Sequence, residues 1–288
     1  MGLFTKNSEK KVVEPQYYTS ATNMPTYNYK VYHMNMMEKI LYFVIAFIVG
    51  AAVGYLFYGG IGVDDLGQPT ALTWFLNITI SSAVGIVAGI GFIPIRREQI
   101  IEKQKKKLNT QFRDFLEAFT TSLGAGKNVV DSFHSVYDDL KLQYDEGAYI
   151  LRELEVIISG MANNVDVEVL LQDFGIRSGI EDIESFANVF RICYRKGGNI
   201  KDTIRNTHAI LTDKMEINEE IETVVTSNKM EQKIMIAMPI ALIGMIKMLS
   251  ADFAANFVTL SGIISTTIAI VLFVAAYYIG KAILNIKV

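Results

Sequence analysis

Two stretches in the first third of the chain contain no charged residue, and their lengths limit what the chain can fold into. Residues 40–58 form an uncharged run of 19, and residues 71–95 form another of 25. A transmembrane helix needs about 20 apolar residues, because each residue advances 1.5 Å through a hydrocarbon core of about 30 Å. Both runs therefore predict membrane-spanning helices.

Two further apolar runs lie near the carboxyl terminus, at residues 234–251 and 257–280. The first of them contains Pro239 and Lys247, and Lys247 must either snorkel to the membrane surface or contact another span or a partner. Buried helices of a soluble protein or a cleaved signal peptide are alternatives. We disfavour them because the runs are long, lack polar faces and begin only at residue 40. The sequence predicts four transmembrane helices.

The distribution of Lys and Arg predicts the orientation of these spans. The connections at residues 59–70 and 252–256 contain neither residue, whereas the amino-terminal segment has five lysines. A basic collar follows the second run directly: Arg96, Arg97, Lys103, Lys105, Lys106 and Lys107. Because basic residues stay on the cytoplasmic side, we expect both termini and residues 96–233 to be cytoplasmic, in a multi-pass protein of the cytoplasmic (inner) membrane.

The amino-terminal segment, residues 1–39, shows no helical or strand period. It mixes Tyr with Asn, Thr and Pro, a composition typical of poorly ordered termini. We expect a flexible cytoplasmic tail, or one that a partner orders. The predicted domains are this tail, a transmembrane hairpin at 40–95, a cytoplasmic helical domain at 96–233 and a second transmembrane hairpin at 234–288.

The domain at 96–233 contains no proline and follows a helical spacing. One apolar face comprises Leu108, Phe112, Phe115, Leu116, Phe119 and Leu123. We expect this helix to continue from the second span and to end at Gly124–Gly126, and the helix from about Ile200 to continue into the third span. The predicted fold is an all-α integral membrane protein with four transmembrane helices and a cytoplasmic bundle of about six helices between spans 2 and 3.

A weak repeat with a period near 35 residues runs through this domain. Asn128, Asn164 and Asn199 each precede an apolar helix start. Because an Asn side chain accepts the free N–H groups of the first turn, each is predicted to be an N-cap. The period also allows a TPR-like solenoid, but no full consensus is present, so a compact bundle is preferred.

Charge differs sharply between two segments of this domain. Residues 96–107 hold six basic and two acidic side chains, whereas residues 108–233 hold 13 basic and 22 acidic ones. The collar suits anionic lipid headgroups. The acidic remainder, and the chain's net charge of -3, argue against nucleic-acid binding and favour a partner with a basic face.

Catalytic and metal-binding patterns are weak in this sequence. Gly124–Lys127 ends in Gly-Lys, but Thr121 and Asn128 replace the glycine and the hydroxyl residue that a phosphate-binding loop needs. The three histidines have no metal-ligand spacing, and Cys193 stands alone. We therefore predict no enzymatic activity, cofactor or metal. Glu216, Glu219 and Glu220 form an acidic helical cluster that is either a solvated face or a docking site.

Residues 110–245 resemble platform proteins of type II secretion and type IV filament machines. The closest resemblance is to the TadB/TadC-like proteins of tight-adherence (Tad) pili, which have one F-type domain. The resemblance rests on residues 111–127 (QFRDFLEAFTTSLGAGK), 150–154 (ILREL) and 190–200 (FRICYRKGGNI). At Asn163–Asn164 the chain departs from the glycine turn expected at that place.

This resemblance implies a non-enzymatic platform that links a cytoplasmic hexameric secretion ATPase to pilin-like subunits. It also implies an oligomer, either of this chain alone or with a second related platform protein. The candidate ATPase contacts are Glu216, Glu219, Glu220, Gly126, Lys127, Gly197, Gly198 and Asn199. The alternatives are a membrane-anchored helical scaffold or sensor for another cytosolic protein, and a membrane enzyme or transporter. The latter is disfavoured because spans 1, 2 and 4 contain no charged residue.

Overall fold

Helices dominate this fold. The computed structural model describes residues 14–19, 21, 23–64, 68–196 and 199–284. Within these residues, one antiparallel two-stranded sheet precedes nine helices, so the chain is all-α apart from a short hairpin. The elements are β1 (Tyr17–Thr19), β2 (Pro25–Tyr27), α1 (Met36–Tyr58), α2 (Ala71–Gly124), α3 (Val129–Gln143), α4 (Tyr149–Ala162), α5 (Val167–Ser178), α6 (Glu181–Lys196), α7 (Ile200–Leu249), α8 (Ala251–Asn256) and α9 (Leu260–Leu284).

The chain divides into two compact units. The bundle unit consists of Met1–His33 and Arg97–Asp213, and the apolar unit consists of Met34–Arg96 and Lys214–Val288. Helices α3 to α6 belong wholly to the bundle unit, whereas α1, α8 and α9 belong to the apolar unit. Helices α2 and α7 contribute residues to both, because each continues past the boundary without an interruption in its helical backbone.

Four helices are long and apolar enough to cross a membrane, as the sequence predicts. They are α1, α2, α7 and the Leu260–Gly280 part of α9, with mean hydropathies of 2.5, 2.0, 1.6 and 2.1 over their most apolar 18-residue windows. The third run ends at Leu249, and the short helix α8 separates it from α9. The architecture fits a multi-pass membrane protein.

Glycines bring α1 and α2 into close contact within the apolar unit. A Cβ atom placed on Gly89 would lie 2.6 Å from ring atoms of Phe43, and one on Gly85 would lie 2.8 Å from the ring of Phe47. Gly50 faces α2 in the same way, because its Cβ would lie 2.7 Å from the Cβ of Ala88. Small residues let two apolar helices approach closely where no water is available to drive them together.

Aromatic side chains form the core of the bundle unit. Helices α2, α3 and α6 contribute six phenylalanines that are at most 1% exposed: Phe112, Phe115, Phe119, Phe133, Phe186 and Phe190. The centroids of Phe119 and Phe133 lie 4.8 Å apart, within the range of favourable ring contacts. The apolar face that the sequence predicts on α2, from Leu108 to Leu123, is buried throughout and is thereby confirmed.

Two of the three predicted asparagine caps occur in the structure, and the prediction for the third, Asn164, is wrong. The Asn128 side chain accepts a hydrogen bond from the Asp131 backbone N–H at 2.8 Å, and Asn199 accepts one from Asp202 at 3.3 Å. Asn164 instead follows the end of α4 with a φ of 60°, and Asp166 is the N-cap of α5. Asn tolerates this left-handed conformation better than most residues with a Cβ, so it occupies a position after the helix end that is usually glycine.

The amino-terminal segment differs from the flexible tail expected for residues 1–39. Its residues 1–13 lie outside the described part of the chain. Beyond them, β1 pairs with β2, and Tyr29 is 1% exposed within the bundle unit. Helix α1 already begins at Met36, where Asn35 and Glu38 form a capping box. Tyrosines pack here against sequence-distant residues, and such packing leaves no local period in the sequence.

Candidate functional site

The turn between α2 and α3 adjoins the start of α7 in the bundle unit. Gly126 adopts a φ of +90°, and the Nζ atom of Lys127 donates to Ser135 Oγ at 2.6 Å. Lys201 Nζ donates to the Gly124 carbonyl oxygen at 2.8 Å, so the first turn of α7 lies beside this α2–α3 turn. The structure thus brings the end of α2 and the first turn of α7, which follows Asn199, into contact. The candidates Gly197 and Gly198 lie outside the described residues.

A cavity of about 450 Å³ with several charged lining residues opens beside Lys127. Three carboxylates line it, from Asp114, Glu117 and Asp139, together with Lys127 as the basic residue among its lining side chains. The Tyr144 hydroxyl donates to Asp114; burial and this hydrogen bond raise the pKa of Tyr144 to about 12. An acidic cavity of this kind suits a basic side chain of a protein partner.

The acidic cluster on α7 is solvent-exposed. Glu216, Glu219 and Glu220 are exposed, and they lie three and four residues apart on one helical face. They belong to the apolar unit, which contains α7 from Lys214 onward, whereas the Lys127 turn belongs to the bundle unit.

The residues of the basic collar lie in three environments: some are exposed, two lie over aromatic rings, and Lys105 has a partner within the bundle unit. Arg97, Lys103 and Lys106 are exposed, as lipid contact requires. Two members lie over aromatic rings: Arg96 Cζ is 5.2 Å from the Tyr42 centroid, and Lys107 Nζ is 5.8 Å from that of Tyr149.

Lys105 differs from the rest of the collar because it has a partner within the bundle unit. Its Nζ atom donates to the carbonyl oxygen of Gly179 at 3.0 Å. Burial and the nearby charge of Lys30 lower the pKa of Lys105. Its ammonium therefore stabilises the end of α5, next to the left-handed Gly179, in addition to any role at a lipid surface.

A buried charged cluster joins the amino-terminal segment to α4 and α5. The Arg177 guanidinium donates to both Glu153 carboxylate oxygens, at 2.8 and 2.5 Å, and to Asp173 Oδ2 at 2.7 Å. Its Nη1 atom also donates to the Tyr27 carbonyl oxygen at 3.0 Å. Burial alone would lower the pKa of Arg177, but the hydrogen bonds and charge of Glu153, together with Asp173, raise it. Arg177 therefore remains charged.

Tyr29 completes this cluster. Its hydroxyl donates to Glu153 Oε1 at 3.0 Å, and its backbone N–H donates to the Arg177 carbonyl oxygen at 3.1 Å. Burial, followed by the charge of Glu153, raises the pKa of Tyr29 well above 10.0. Sequence reasoning missed this cluster. The available signal was the four-residue separation of Asp173 and Arg177, which pairs them on one helix but does not indicate Glu153 or Tyr29.

Lys247 contacts another apolar helix. Its Nζ atom donates to the Leu56 carbonyl oxygen at the end of α1, at 2.7 Å, and lies 4.6 Å from the ring centroid of Phe257. Of the alternatives predicted for Lys247, the structure therefore shows the contact with a second span. Among the described residues, no group of three or more His, Cys, Asp or Glu side chains is arranged to hold a metal ion.

No protein-family model, curated protein or solved structure matches this chain. The fold by itself defines a class: an all-helical protein with four apolar helices that fits a multi-pass membrane protein.

Proposed function

We propose that this protein is a non-enzymatic membrane platform of a Tad pilus, type IV filament or type II secretion machine. In this role it couples a cytoplasmic secretion ATPase to the assembly of pilin-like subunits. The observation that carries the proposal is the helical continuity of α2 and α7. Each helix supplies an apolar segment and, without a backbone break, part of the bundle unit. Each apolar segment is therefore connected to the bundle unit by continuous helix and not by a loop. In the proposed role, a movement of the bundle unit is passed to the apolar segments along these two helices.

The sequence resemblance supports the same proposal. Residues 111–127 form the end of α2 and the turn after it, and residues 190–200 lead into α7. Lys201, which follows the second segment directly, donates to the carbonyl oxygen of Gly124 in the first segment. This contact between the two segments supports the proposal that both belong to one F-type domain.

The proposed location is the cytoplasmic membrane, with both termini and the bundle unit in the cytoplasm. The support is the excess of Lys and Arg at residues 96–107 and its absence from residues 59–70 and 252–256. The exposed collar residues Arg97, Lys103 and Lys106 then face anionic headgroups, each contributing about 1 kcal/mol to membrane binding.

The proposed ATPase contacts are two exposed acidic features. One is the cluster Glu216, Glu219 and Glu220, and the other is the acidic cavity beside Lys127. Both suit a basic surface on the partner. The apolar helices are the proposed contact for pilin-like subunits and for further copies of this chain or a related second platform protein.

Capture of partners from native membranes tests the proposal. The tagged full-length protein is crosslinked in its own cells and purified, and the bound proteins are identified by mass spectrometry. The proposal predicts a secretion ATPase and a pilin-like subunit. Capture of an unrelated cytosolic protein in their place overturns the platform and supports the alternative of a scaffold or sensor.

A charge-reversal variant tests the ATPase contact separately. Changing Glu216, Glu219 and Glu220 together to Lys is expected to reduce copurified ATPase at least roughly tenfold, because juxtaposed like charges cost more than the corresponding 1.4 kcal/mol. The matched control reverses Asp138, Glu146 and Glu184, which are exposed acids elsewhere in the chain. Equal ATPase recovery from both variants would exclude the cluster as the contact.

A further inference from the structure

A cavity of about 740 Å³ lies within the apolar unit and has walls from α1, α2, α7 and α9. Its lining is aliphatic and aromatic, and the lining side chains that carry a polar group are Tyr58, Tyr277 and Lys233. A cavity with so few polar partners does not hold water well, since each ordered water needs two to four of them. Inside a bilayer, such a space is filled by hydrocarbon.

Along α7, the lining of the cavity extends over about half the thickness of a bilayer. Its lining on α7 extends from Lys233 to Ile243, and ten residues of helix measure about 15 Å. The hydrocarbon core is about 30 Å thick, so this distance equals the depth of one leaflet. A transmembrane helix of a partner would need a groove along the whole core, whereas an acyl chain needs only this length.

The two ends of the cavity differ chemically. At one end, Lys233 is exposed, and its neighbour Gln232 donates from Nε2 to the Tyr277 carbonyl oxygen at 3.3 Å, which joins α7 to α9. At the other end, the hydroxyls of Tyr58 and Thr267 are 3.0 Å apart and join α1 to α9. Thr267 precedes Tyr277 by ten residues on α9, which again corresponds to about 15 Å. The cavity is thus apolar along its length with a cation at one end.

We propose that this cavity is a binding site for an anionic phospholipid, with an acyl chain between the four helices and the headgroup phosphate at Lys233. A lysine at the membrane surface attracts anionic headgroups and has no equivalent preference for zwitterionic ones. The site depends on the apolar unit being in a bilayer, and it is independent of the partners in the platform proposal.

Lipid analysis of the purified full-length protein tests the site. The protein is reconstituted in vesicles with equal amounts of phosphatidylglycerol and phosphatidylcholine and then extracted in mild detergent, and retained lipid is quantified by mass spectrometry. The wild-type protein should retain phosphatidylglycerol preferentially. Lys233→Gln should reduce this preference about fivefold. Lys229→Gln, which removes an exposed lysine outside the cavity, should leave the preference unchanged.

Two tryptophan variants, one inside the cavity and one outside it, distinguish binding at this site from general lipid contact. Ala269 lines the cavity on α9, whereas Ala275 is exposed and does not. Ala269→Trp should lower retained phosphatidylglycerol at least roughly threefold, because the indole occupies the space of the acyl chain. Ala275→Trp should retain the wild-type amount. Equal retention by both variants overturns the proposal.

Photocrosslinking provides a second test that does not depend on the folding of Ala269→Trp. Phe273 lines the cavity and is replaced by benzoylphenylalanine, with Tyr278 on the exposed side of α9 as the control position. Phosphatidylglycerol should be enriched among the crosslinks at Phe273 relative to Tyr278. A crosslink from Phe273 to a protein partner, or a lipid composition equal to that at Tyr278, overturns the proposal.

Discussion

Arg177 and Glu153 form a two-point ion pair with almost no access to solvent. Their side chains are 1% and 3% exposed, and the two hydrogen bonds between them measure 2.8 and 2.5 Å. Transfer of both charges from water is costly, so the pair is stable only because further partners satisfy it. Those partners come from α5 and from the segment that precedes α1, through Asp173, Tyr27 and Tyr29.

Removal of one member of this pair should destabilise the protein strongly. Arg177→Met leaves the buried Glu153 carboxylate without its cation, and we expect the free energy of unfolding to fall by about 3–5 kcal/mol. The double variant with Glu153→Met should lose less, because no uncompensated charge remains. Denaturant titration of the purified protein in detergent measures both changes.

The control for this prediction is Arg205→Met. Arg205 and Asp202 form an exposed pair, with 57% and 58% of their side chains accessible, so its loss should cost at most about 1 kcal/mol. If Arg177→Met and Arg205→Met changed stability equally, the buried cluster would contribute nothing beyond a surface pair.

Tyr29 should make stability depend on pH in the alkaline range. Because the pKa of Tyr29 is raised above 10.0 in the folded protein, its stabilising effect is complete below pH 10. Above pH 10 the unfolded chain releases this proton and the folded one retains it, so stability falls as pH rises toward the folded pKa.

The variant Tyr29→Phe isolates this effect. At neutral pH it should cost about 1–2 kcal/mol through the lost hydrogen bond to Glu153. Above pH 10 the difference in unfolding free energy between this variant and the wild type should narrow, because only the wild type has Tyr29 to titrate. Tyr144, with a pKa of about 12, titrates in both proteins and does not affect the difference. Thermal unfolding followed by circular dichroism across this range checks the prediction, and a constant difference would contradict it.

The glycine contact between α1 and α2 predicts opposite outcomes for two neighbouring positions. Gly89→Leu forces a side chain into the Phe43 ring and should destabilise the protein by about 1–3 kcal/mol. At Gly91 a Cβ atom meets nothing within 4 Å, so Gly91→Leu should be tolerated. Thermal unfolding in detergent compares them, and equal melting temperatures would argue against close packing of α1 on α2.

The chain's single cysteine offers a test of membrane orientation. Cys193 is half-buried in α6 of the bundle unit. If the bundle is cytoplasmic, a membrane-impermeant maleimide should label Cys193 only after the cells are permeabilised. In a Cys193→Ser background, Gln68→Cys should be labelled in intact cells, because Gln68 is exposed and lies between α1 and α2 in the chain. The reverse labelling pattern would invert the proposed orientation.

Local patterns in the sequence predicted most of the helices, because burial on a helix repeats with its turn. The face from Leu108 to Leu123 follows from such a repeat, and the four apolar helices follow from the length of their apolar runs. Asn164 was mistaken for a cap because Asn serves equally at a helix start and in the left-handed turn after a helix end.

Interactions between distant segments left no comparable signal. Tyr29 and Glu153 are separated by 124 residues, and their partnership depends on the packing of α4 and α5. The acidic cavity beside Lys127 likewise gathers carboxylates from α2 and α3. A single sequence shows that such residues are charged, but it contains no pattern that pairs them across a fold.

The long separation within the buried cluster has a consequence for biogenesis. The segment with Tyr27 and Tyr29 leaves the ribosome before α1 and α2, yet its partner Arg177 is synthesised 150 residues after Tyr27. Two apolar helices are made in the interval, so this contact closes late in synthesis. A fragment that begins at Arg97 lacks the tyrosine hydroxyl and carbonyl that satisfy Glu153 and Arg177. Truncated forms of this protein that contain the bundle unit should therefore include the amino-terminal segment, either fused to the fragment or added as a peptide.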